Sequence, residues 1–396
     1  MRPTPHTLPA TPVPPPPWRD RLLAWRHRLI ASPRFQRFAA AFPLTRPVAR
    51  RNARALFDLC AGFVYAQVLA ASLRLDLFRI LADGPMPAED LARRLDLPPD
   101  RALCLLRAAA SLGLLTALRD GRFALGDLGA ALLGNPSVAA MVAHHAMLYD
   151  DLRDPVALLR GTGGGMGGGT GGGTGGKTRL SGYWAYAASD DPARIDEAAV
   201  APYGALMGAS QALVARDILE AYPLARHAHL LDVGGGEGAF AVEAARSAPR
   251  LRVTLFDLPP VAARAARRFA EEGLAGRATA RGGSFHDGLP PGADAVSLVR
   301  VVHDHDDAPA LALLKAARAA LPPGGTLLLA EPMAGTPGAE PIGDAYFGFY
   351  LLAMGSGRPR TRPELADMLA QAGFSRVREH RTRRPMLVRL LVATAP

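Results

Sequence analysis

A doubly wound α/β sheet over residues 222–396, preceded by an all-helical N-terminal region, is the fold this sequence predicts. Three observations carry the prediction. Beyond Tyr222 short apolar runs alternate with stretches of helical periodicity in a βαβαβ order, which implies a mainly parallel sheet covered on both faces. The run LLDVGGGEGA, Leu230–Ala239, reads as a buried strand, a tight glycine turn and the start of a helix. Residues 52–134 read instead as helices, with two short ones broken at Pro98 and Pro99 and a hairpin-like RDGRFAL around Asp120 and Gly121.

Taken in order, residues 1–51 form a proline-rich and basic arm, predicted to be disordered. Prolines at the density of residues 1–17 remove backbone donors and hold the chain extended. From Trp18 to Arg54, arginines alternate with Leu22, Leu23, Trp25, Leu29, Ile30, Phe35 and Phe38. Such a segment fits an anionic membrane surface, and it fits equally an arm packed on the body with its arginines in water. The net charge of +10 is held in residues 1–54, where eleven arginines face one acid, Asp20, so the rest of the chain is formally neutral. That argues against a nucleic-acid-binding protein. Arginine is the abundant cation throughout, with lysine only at Lys177 and Lys315.

Residues 52–150 are read as a winged-helix-like domain. Its first helix, ALFDLCAGFVYAQVLAASLRLDLFRILADG, is too apolar to face water on any side, which suits burial against another subunit. The longest apolar stretch, Leu59–Leu73, is fifteen residues with Gln67 inside it, so a buried helix is expected rather than a membrane span. The helix a DNA reader would use offers Leu103, Cys104, Leu105 and Leu106, with Arg101 and Arg107 as its only obvious readers, so DNA recognition is set aside. Cys60 and Cys104 have neither disulfide nor zinc spacing, and no signal-peptide pattern precedes them; a cytoplasmic protein is expected, with a peripheral place on the inner or intracytoplasmic membrane as the reading the arm leaves open.

Residues 151–221 are a glycine-rich linker followed by connecting helices. Gly171–Thr178, GGGTGGKT, matches a phosphate-loop pattern by letter, but lacks the buried strand before it and the helix after it, and we reject it. Tyr203, Met207 and Gln211 recur at helical spacing, which fits a pocket wall or ordinary core contact. Over 222–396, strands are expected at His229–Val233, Arg252–Phe256, Arg277–Ala280, Ala295–Val302, Thr326–Ala330, Val377–Glu379 and Leu387–Ala393.

The first strand and its turn form the expected cofactor site. Gly234, Gly236 and Ala239 fit a dinucleotide spacing, yet Asp232 and Glu237 would repel a pyrophosphate there and attract an ammonium and a sulfonium. S-adenosylmethionine carries both. Asp257, closing the next strand, is placed to accept hydrogen bonds from ribose hydroxyls. The fourth strand runs directly into His303, Asp304, His305, Asp306 and Asp307. Adjacent positions in one tight loop rarely converge on one ion, so no metal is expected, and the acids suit capping of the helix that follows. His303 is the candidate general base.

With those residues on the page, the chain resembles the S-adenosylmethionine-dependent O-methyltransferases of the plant caffeate type. LDVGGGEG, LFDLP, RVVHDHDD, LPPGG, AEP and RTRPELADMLAQAGF occur in the family's order over roughly residues 52–396. The resemblance implies a Rossmann-like methyltransferase sheet, a winged-helix dimerisation domain, a homodimer, His303 as base and Glu331 as the acid that orients it, with Asp304 assisting. It adds Ser284, Phe285 and Arg300 to the cofactor set. Four family positions differ: the tryptophan after HD is His305, a second base-supporting glutamate falls at Pro359, an acid of the cofactor site falls at Gly283, and the asparagine that helps hold phenolic acceptors falls at Met354, which suggests a less polar acceptor. A closer resemblance is to the carotenoid O-methyltransferase branch, carried by FDLCAGFVYAQVL, HHAMLYDDLRDPVALLRG, APYGALMGASQ and AEPMAGTPGAEPIGDAYFGFYLLAMGSGR. It implies methylation of the tertiary 1-hydroxyl of an acyclic carotenoid. Phe347, Tyr350 and Met354, on one face of an apolar helix, suit a long hydrocarbon, although the same spacing suits a core helix. A phenolic or polyketide acceptor is the alternative.

Overall fold

The computed structural model describes residues 18–161, 178–183 and 211–396. The disorder expected of residues 1–17, the glycine-rich linker and the expected pocket residues Tyr203 and Met207 lie outside the described residues, as does all but the last residue of the rejected phosphate loop. The chain divides into two compact units, one ending at Asp127 and one beginning at Leu128.

In the first unit the basic arm is not without structure from Trp18 onward. It forms α1, Trp18–Ala31, and α2, Pro33–Ala41, then enters α3, Arg46–Arg74. Arginine and leucine are good helix formers, and Pro33 and Pro47 sit in the first turns, where a missing N–H costs nothing. Neither α1 nor α2 has a core to pack on: α1 buries no residue and α2 buries Ala39 alone. Helix α3 corrects a second expectation. At 29 residues it is long and apolar enough to cross a membrane by length and composition alone. The helix outruns its apolar core because Arg and Ala extend it toward the N-terminus. Its side chains are largely uncovered: Leu59 is 82% and Phe63 68% exposed, and only Ser72 is buried.

The remainder of this unit is as the sequence suggests. Helix α4, Leu77–Ile80, is followed by β1, Met86–Pro87, α5, Ala88–Arg94, and α6, Pro99–Ser111. Strands β2, Leu115–Ala117, and β3, Arg122–Leu125, make the antiparallel wing, with β1 on the other edge of β3. Gly121 turns the hairpin at φ +84°, and Asp120 accepts from the Arg122 backbone at 3.2 Å.

The second unit begins within α7, Asp127–Leu133, and continues through α8, Pro136–Asp151, α9, Pro155–Leu159, α10, Arg179–Tyr183, and α11 over 211–221. A seven-stranded sheet follows. Its strands are β4, His229–Val233; β5, Arg252–Asp257; β6, Ala278–Gly282; β7, Ala295–Val299; β8, Thr326–Glu331; β9, Ser375–His380; and β10, Arg389–Thr394. The spatial order is β6-β5-β4-β7-β8-β10-β9, with the first five parallel and β10 antiparallel to both neighbours. The connecting helices are α12, Ala239–Ser247; α13, Pro259–Glu271; α14, Asp307–Ala320; α15, Gly348–Met354; and α16, Arg362–Gln371.

Strand alternation assigns the two faces. Leu230, Val253, Leu255 and Leu328 pack with Ile218 of α11, Phe240 of α12 and Phe269 of α13. The intervening Leu231, Val233, Leu327 and Leu329 pack with Leu313 of α14 and Leu369 of α16. Helices on both faces of a mainly parallel sheet are the doubly wound arrangement expected, which directs function to the carboxyl ends of β5, β4, β7 and β8.

Candidate active site

Four neighbouring strands deliver the expected residues to one edge. Asp232 lies in β4 with no exposure, and the parallel register sets it opposite Ser297 of β7. The Ser297 hydroxyl donates to Asp232 Oδ1 at 2.7 Å, while Oδ2 is buried with no hydrogen-bond partner. Burial pushes this carboxyl up to about 7, against the lowering influence of Ser297. A buried carboxylate oxygen without a donor is costly in isolation and calls for one.

The turn after β4 is built around that oxygen. A Cβ at Gly235 would stand 2.4 Å from Asp232 Oδ2, so only glycine permits the backbone to pass so close. Gly234 N–H donates to the Phe256 carbonyl at 2.8 Å, and Gly236 N–H donates to Asp257 Oδ2 at 2.8 Å. Asp257 Oδ1 accepts from Leu258 N–H at 2.7 Å, and burial raises its pKa despite these donors. Glu237 faces Arg264 across 3.4 Å, so its charge is countered within the protein. Ser284 accepts from His286 N–H at 3.3 Å, and Phe285 stacks against His286 with ring centroids 4.2 Å apart. The orphaned oxygen of Asp232, the Gly235 approach and the acids of β4 and β5 together fit a cationic nucleoside such as S-adenosylmethionine: Asp232 would meet the ammonium and Asp257 the ribose.

The fourth strand ends earlier than its apolar run. β7 stops at Val299 because Arg300 adopts φ +58°, a left-handed conformation that costs a non-glycine residue about 1–2 kcal/mol. The reversal turns residues 302–304 into a short 3₁₀ turn and aims His303 across the edge of β8. Glu331, the last residue of β8, holds that turn. Its Oε1 accepts from the Val301 and Val302 amides at 3.0 and 2.7 Å, and its Oε2 is hydrogen-bonded to His303 Nδ1. A carboxylate at Nδ1 fixes the hydrogen there and leaves Nε2 as the basic nitrogen. Asp304 Oδ1 lies 3.1 Å from that Nε2. Burial would lower the His303 pKa, but Asp304 and Glu331 outweigh it and hold it above the usual value. Asp304 itself is pushed up by burial to about 6. Arg300 bears electrostatically on both.

Sequence reasoning missed the segment that clamps this turn. Arg360, 2% exposed, donates to the Val302 carbonyl at 2.9 Å and the His305 carbonyl at 2.8 Å, bracketing His303 and Asp304. Arg358 N–H donates to the His303 carbonyl at 3.0 Å, and Ser356 Oγ to that of Asp304 at 3.0 Å. Gly357 makes the approach, since a Cβ there would stand 2.2 Å from the His303 carbonyl oxygen. Asp306 and Asp307 stand at the N-cap and in the first turn of α14, where their charge suits its dipole as expected, and both also serve this clamp. Asp306 accepts from Gly357 N–H at 3.0 Å and makes no side-chain cap, while Asp307 pairs with Arg358 and Arg360. His305 packs edge-on against Phe285, and burial lowers its pKa to about 4.

Of the expected acceptor residues described, Phe347 meets the base, its ring edge-on to His303 at 6.1 Å. Tyr350 and Met354 are buried among Leu148, Leu158 and Leu180.

A buried histidine held by a carboxylate, beside a glycine turn whose acids fit a cationic nucleoside at the switch edge of a doubly wound sheet, is an arrangement suited to group transfer. The comparisons name the class. Residues 182–375 match the O-methyltransferase domain, and residues 57–135 match the O-methyltransferase dimerisation domain. The chain belongs to the S-adenosylmethionine-dependent O-methyltransferase family, and the dimerisation domain supports a homodimer. Within that family it is 43% identical to a demethylspheroidene O-methyltransferase of Cereibacter sphaeroides, over 93% of this chain and 94% of that one. It is 40% identical to one from Rhodobacter capsulatus, over 92% and 88%. The solved structure of the mitomycin 7-O-methyltransferase MmcR superimposes with a TM-score of 0.69 at 25% identity, over 88% of this chain and all of that one.

Proposed function

We propose that this enzyme methylates the tertiary 1-hydroxyl of an acyclic carotenoid, with His303 as general base. The observation that carries the base assignment is the Glu331 contact at His303 Nδ1, which keeps Nε2 available to accept a proton. The acceptor class is supported by the names of the relatives at 40–43% identity. Bound S-adenosylmethionine supplies an electrophilic methyl group. His303 takes the hydroxyl proton onto Nε2, Glu331 keeps the ring from rotating, and Asp304 stabilises the imidazolium so formed. An aliphatic tertiary alcohol is far less acidic than a phenol, so the proton must leave as the new C–O bond forms. A positioned base contributes roughly 10²- to 10⁴-fold.

We place the arm at the surface of an anionic membrane, on the cytoplasmic side, where a water-insoluble acceptor would be presented. Supporting this, Trp18 and Trp25 are 70% and 57% exposed among the arginines of α1. The partition we propose is arm 1–51, dimerisation region 52–150, connecting segment 151–221 and catalytic domain 222–396. The test is transfer of label from S-adenosylmethionine to detergent-dispersed 1-hydroxy carotenoids beside a panel of phenols. Label in a carotenoid methyl ether is expected; label in phenols alone refutes the acceptor assignment and leaves the base assignment standing.

A further inference from the structure

His303 serves the hydroxyl of an acceptor, and a long hydrocarbon must lie somewhere beyond it; the following deepens the proposed function and rests on its acceptor class. Three aromatic rings lead away from the base in unbroken contact. Phe347 is edge-on to His303, Tyr346 is edge-on to Phe347 at 5.2 Å, and Tyr350 lies nearly parallel to Tyr346 at 6.0 Å and 28°. The first two close a π-helical turn, Pro341–Phe347, and Tyr350 sits in α15. The wider turn is a feature often found at functional sites.

Two adjacent histidines of α8 reach this series. His144 Nε2 is hydrogen-bonded to the Tyr350 hydroxyl at 2.9 Å, and His145 Nε2 to the Tyr346 hydroxyl at 2.8 Å. Burial keeps the two histidines and Tyr346 neutral near pH 7: it lowers the His144 pKa to about 4, lowers that of His145, and pushes Tyr346 up to about 12. Each tyrosine therefore has its one polar atom matched from behind, and desolvating its ring leaves no hydroxyl unpaired. Leu148, Leu158, Leu180 and Leu351 back the series, so the rings cannot retreat, while Tyr346 and Phe347 remain half-buried with a face to offer. Arg300 bears electrostatically on Tyr346, which places the near end of the series beside the turn that carries the base.

We propose that Phe347 and Tyr346 form the wall along which the hydrocarbon tail of the acceptor lies, and that the buried Tyr350 behind them, with His144 and His145, are positioning residues that fix this wall and set the preference for a long acceptor. Rigid aromatic faces suit a polyene, and each ring contact supports a change of about tenfold in affinity.

The test compares kcat/KM for two tertiary alcohols with the same head, a long acyclic carotenoid alcohol and a short monoterpenoid one, in the full-length enzyme. Wild type is expected to favour the long acceptor. The variants His145→Leu, His144→Leu and Tyr346→Ala are expected to lower the long-to-short ratio about tenfold each, through KM of the long acceptor, and Tyr346→Phe to retain most of it. Melting temperature and S-adenosylmethionine affinity report whether each variant is folded. An unchanged ratio in folded variants overturns the inference and makes the series ordinary core. A wild type that methylates neither alcohol overturns the acceptor class, and the inference with it.

Discussion

The buried carboxyl of Asp232 makes cofactor affinity depend on pH in a way that can be worked out beforehand. In the free enzyme it titrates at about 7, because burial outweighs the Ser297 hydrogen bond. Only the ionised form attracts an ammonium, so cofactor binding must draw the group into that form and expel its proton. At pH 7 about half the molecules carry the proton, so binding releases about half a proton; Kd should be about fivefold weaker at pH 6 and about twofold tighter at pH 8. The sign follows from the direction of the shift: affinity rises with pH up to about 7 and then levels. Calorimetric titration of S-adenosylmethionine in two buffers of different ionisation heat reads both quantities. Asp257 is raised in the same direction and His303 also titrates above its usual value, so the isosteric Asp232→Asn is the control. It should bind more weakly at every pH and lose most of the slope. A wild-type Kd flat from pH 6 to 8, or a slope that survives in Asp232→Asn, would refute the placement of the cation at Asp232.

The remaining predictions concern the base and its supports. His303→Ala should keep cofactor affinity and lose roughly 10²- to 10⁴-fold in kcat; near-normal turnover would end its assignment as base. The acid limb of kcat/KM should lie above pH 6.5, since the base must be neutral and its pKa is held up by Asp304 and Glu331. Glu331→Gln should move that limb down and lower kcat, because an amide N–H₂ cannot replace the acceptor at Nδ1; a limb that stays in place speaks against the contact. Arg360→Met should strand the His305 carbonyl, at about 1–3 kcal/mol, and leave the Val302 carbonyl with only its 3.3 Å contact from His305 N–H, visible as a lower melting temperature and a reduced kcat with cofactor Kd little changed.

What was legible in the sequence, and what was not, separates by the range of the interaction. Alternation of apolar strand and periodic helix is local, so the bounds of β4, β5, β6 and β8 could be read within a residue or two. Asp232, Asp257 and His303 were legible because a parallel sheet sends every strand end to the same edge, and Glu331 was legible through the family resemblance. Ser297 was not, although its signal existed: a lone hydroxyl in the run AVSLV, at a depth equal to Asp232 once the β4–β7 register is known. Gly235 hid inside a spacing rule that treats it as the variable position, whereas the close approach to Asp232 leaves no room for a Cβ there either. The early end of β7 could not be seen, since Val301 and Val302 continue the apolar run and only the backbone of Arg300 reveals the reversal. Arg360 was the hardest to foresee. An arginine in RPRT reads as a solvated charge, and its burial follows from the Val302 and His305 carbonyls that a turn nearly sixty residues earlier presents to it. The departure from the family's glutamate at Pro359 therefore does not leave the base unsupported. Orientation of the ring rests on Glu331, and orientation of the turn that carries it rests on Arg360 and the amides of Gly357 and Arg358, so the two supports should fail separately: loss of Glu331 alters the pH profile, and loss of Arg360 lowers kcat without moving it.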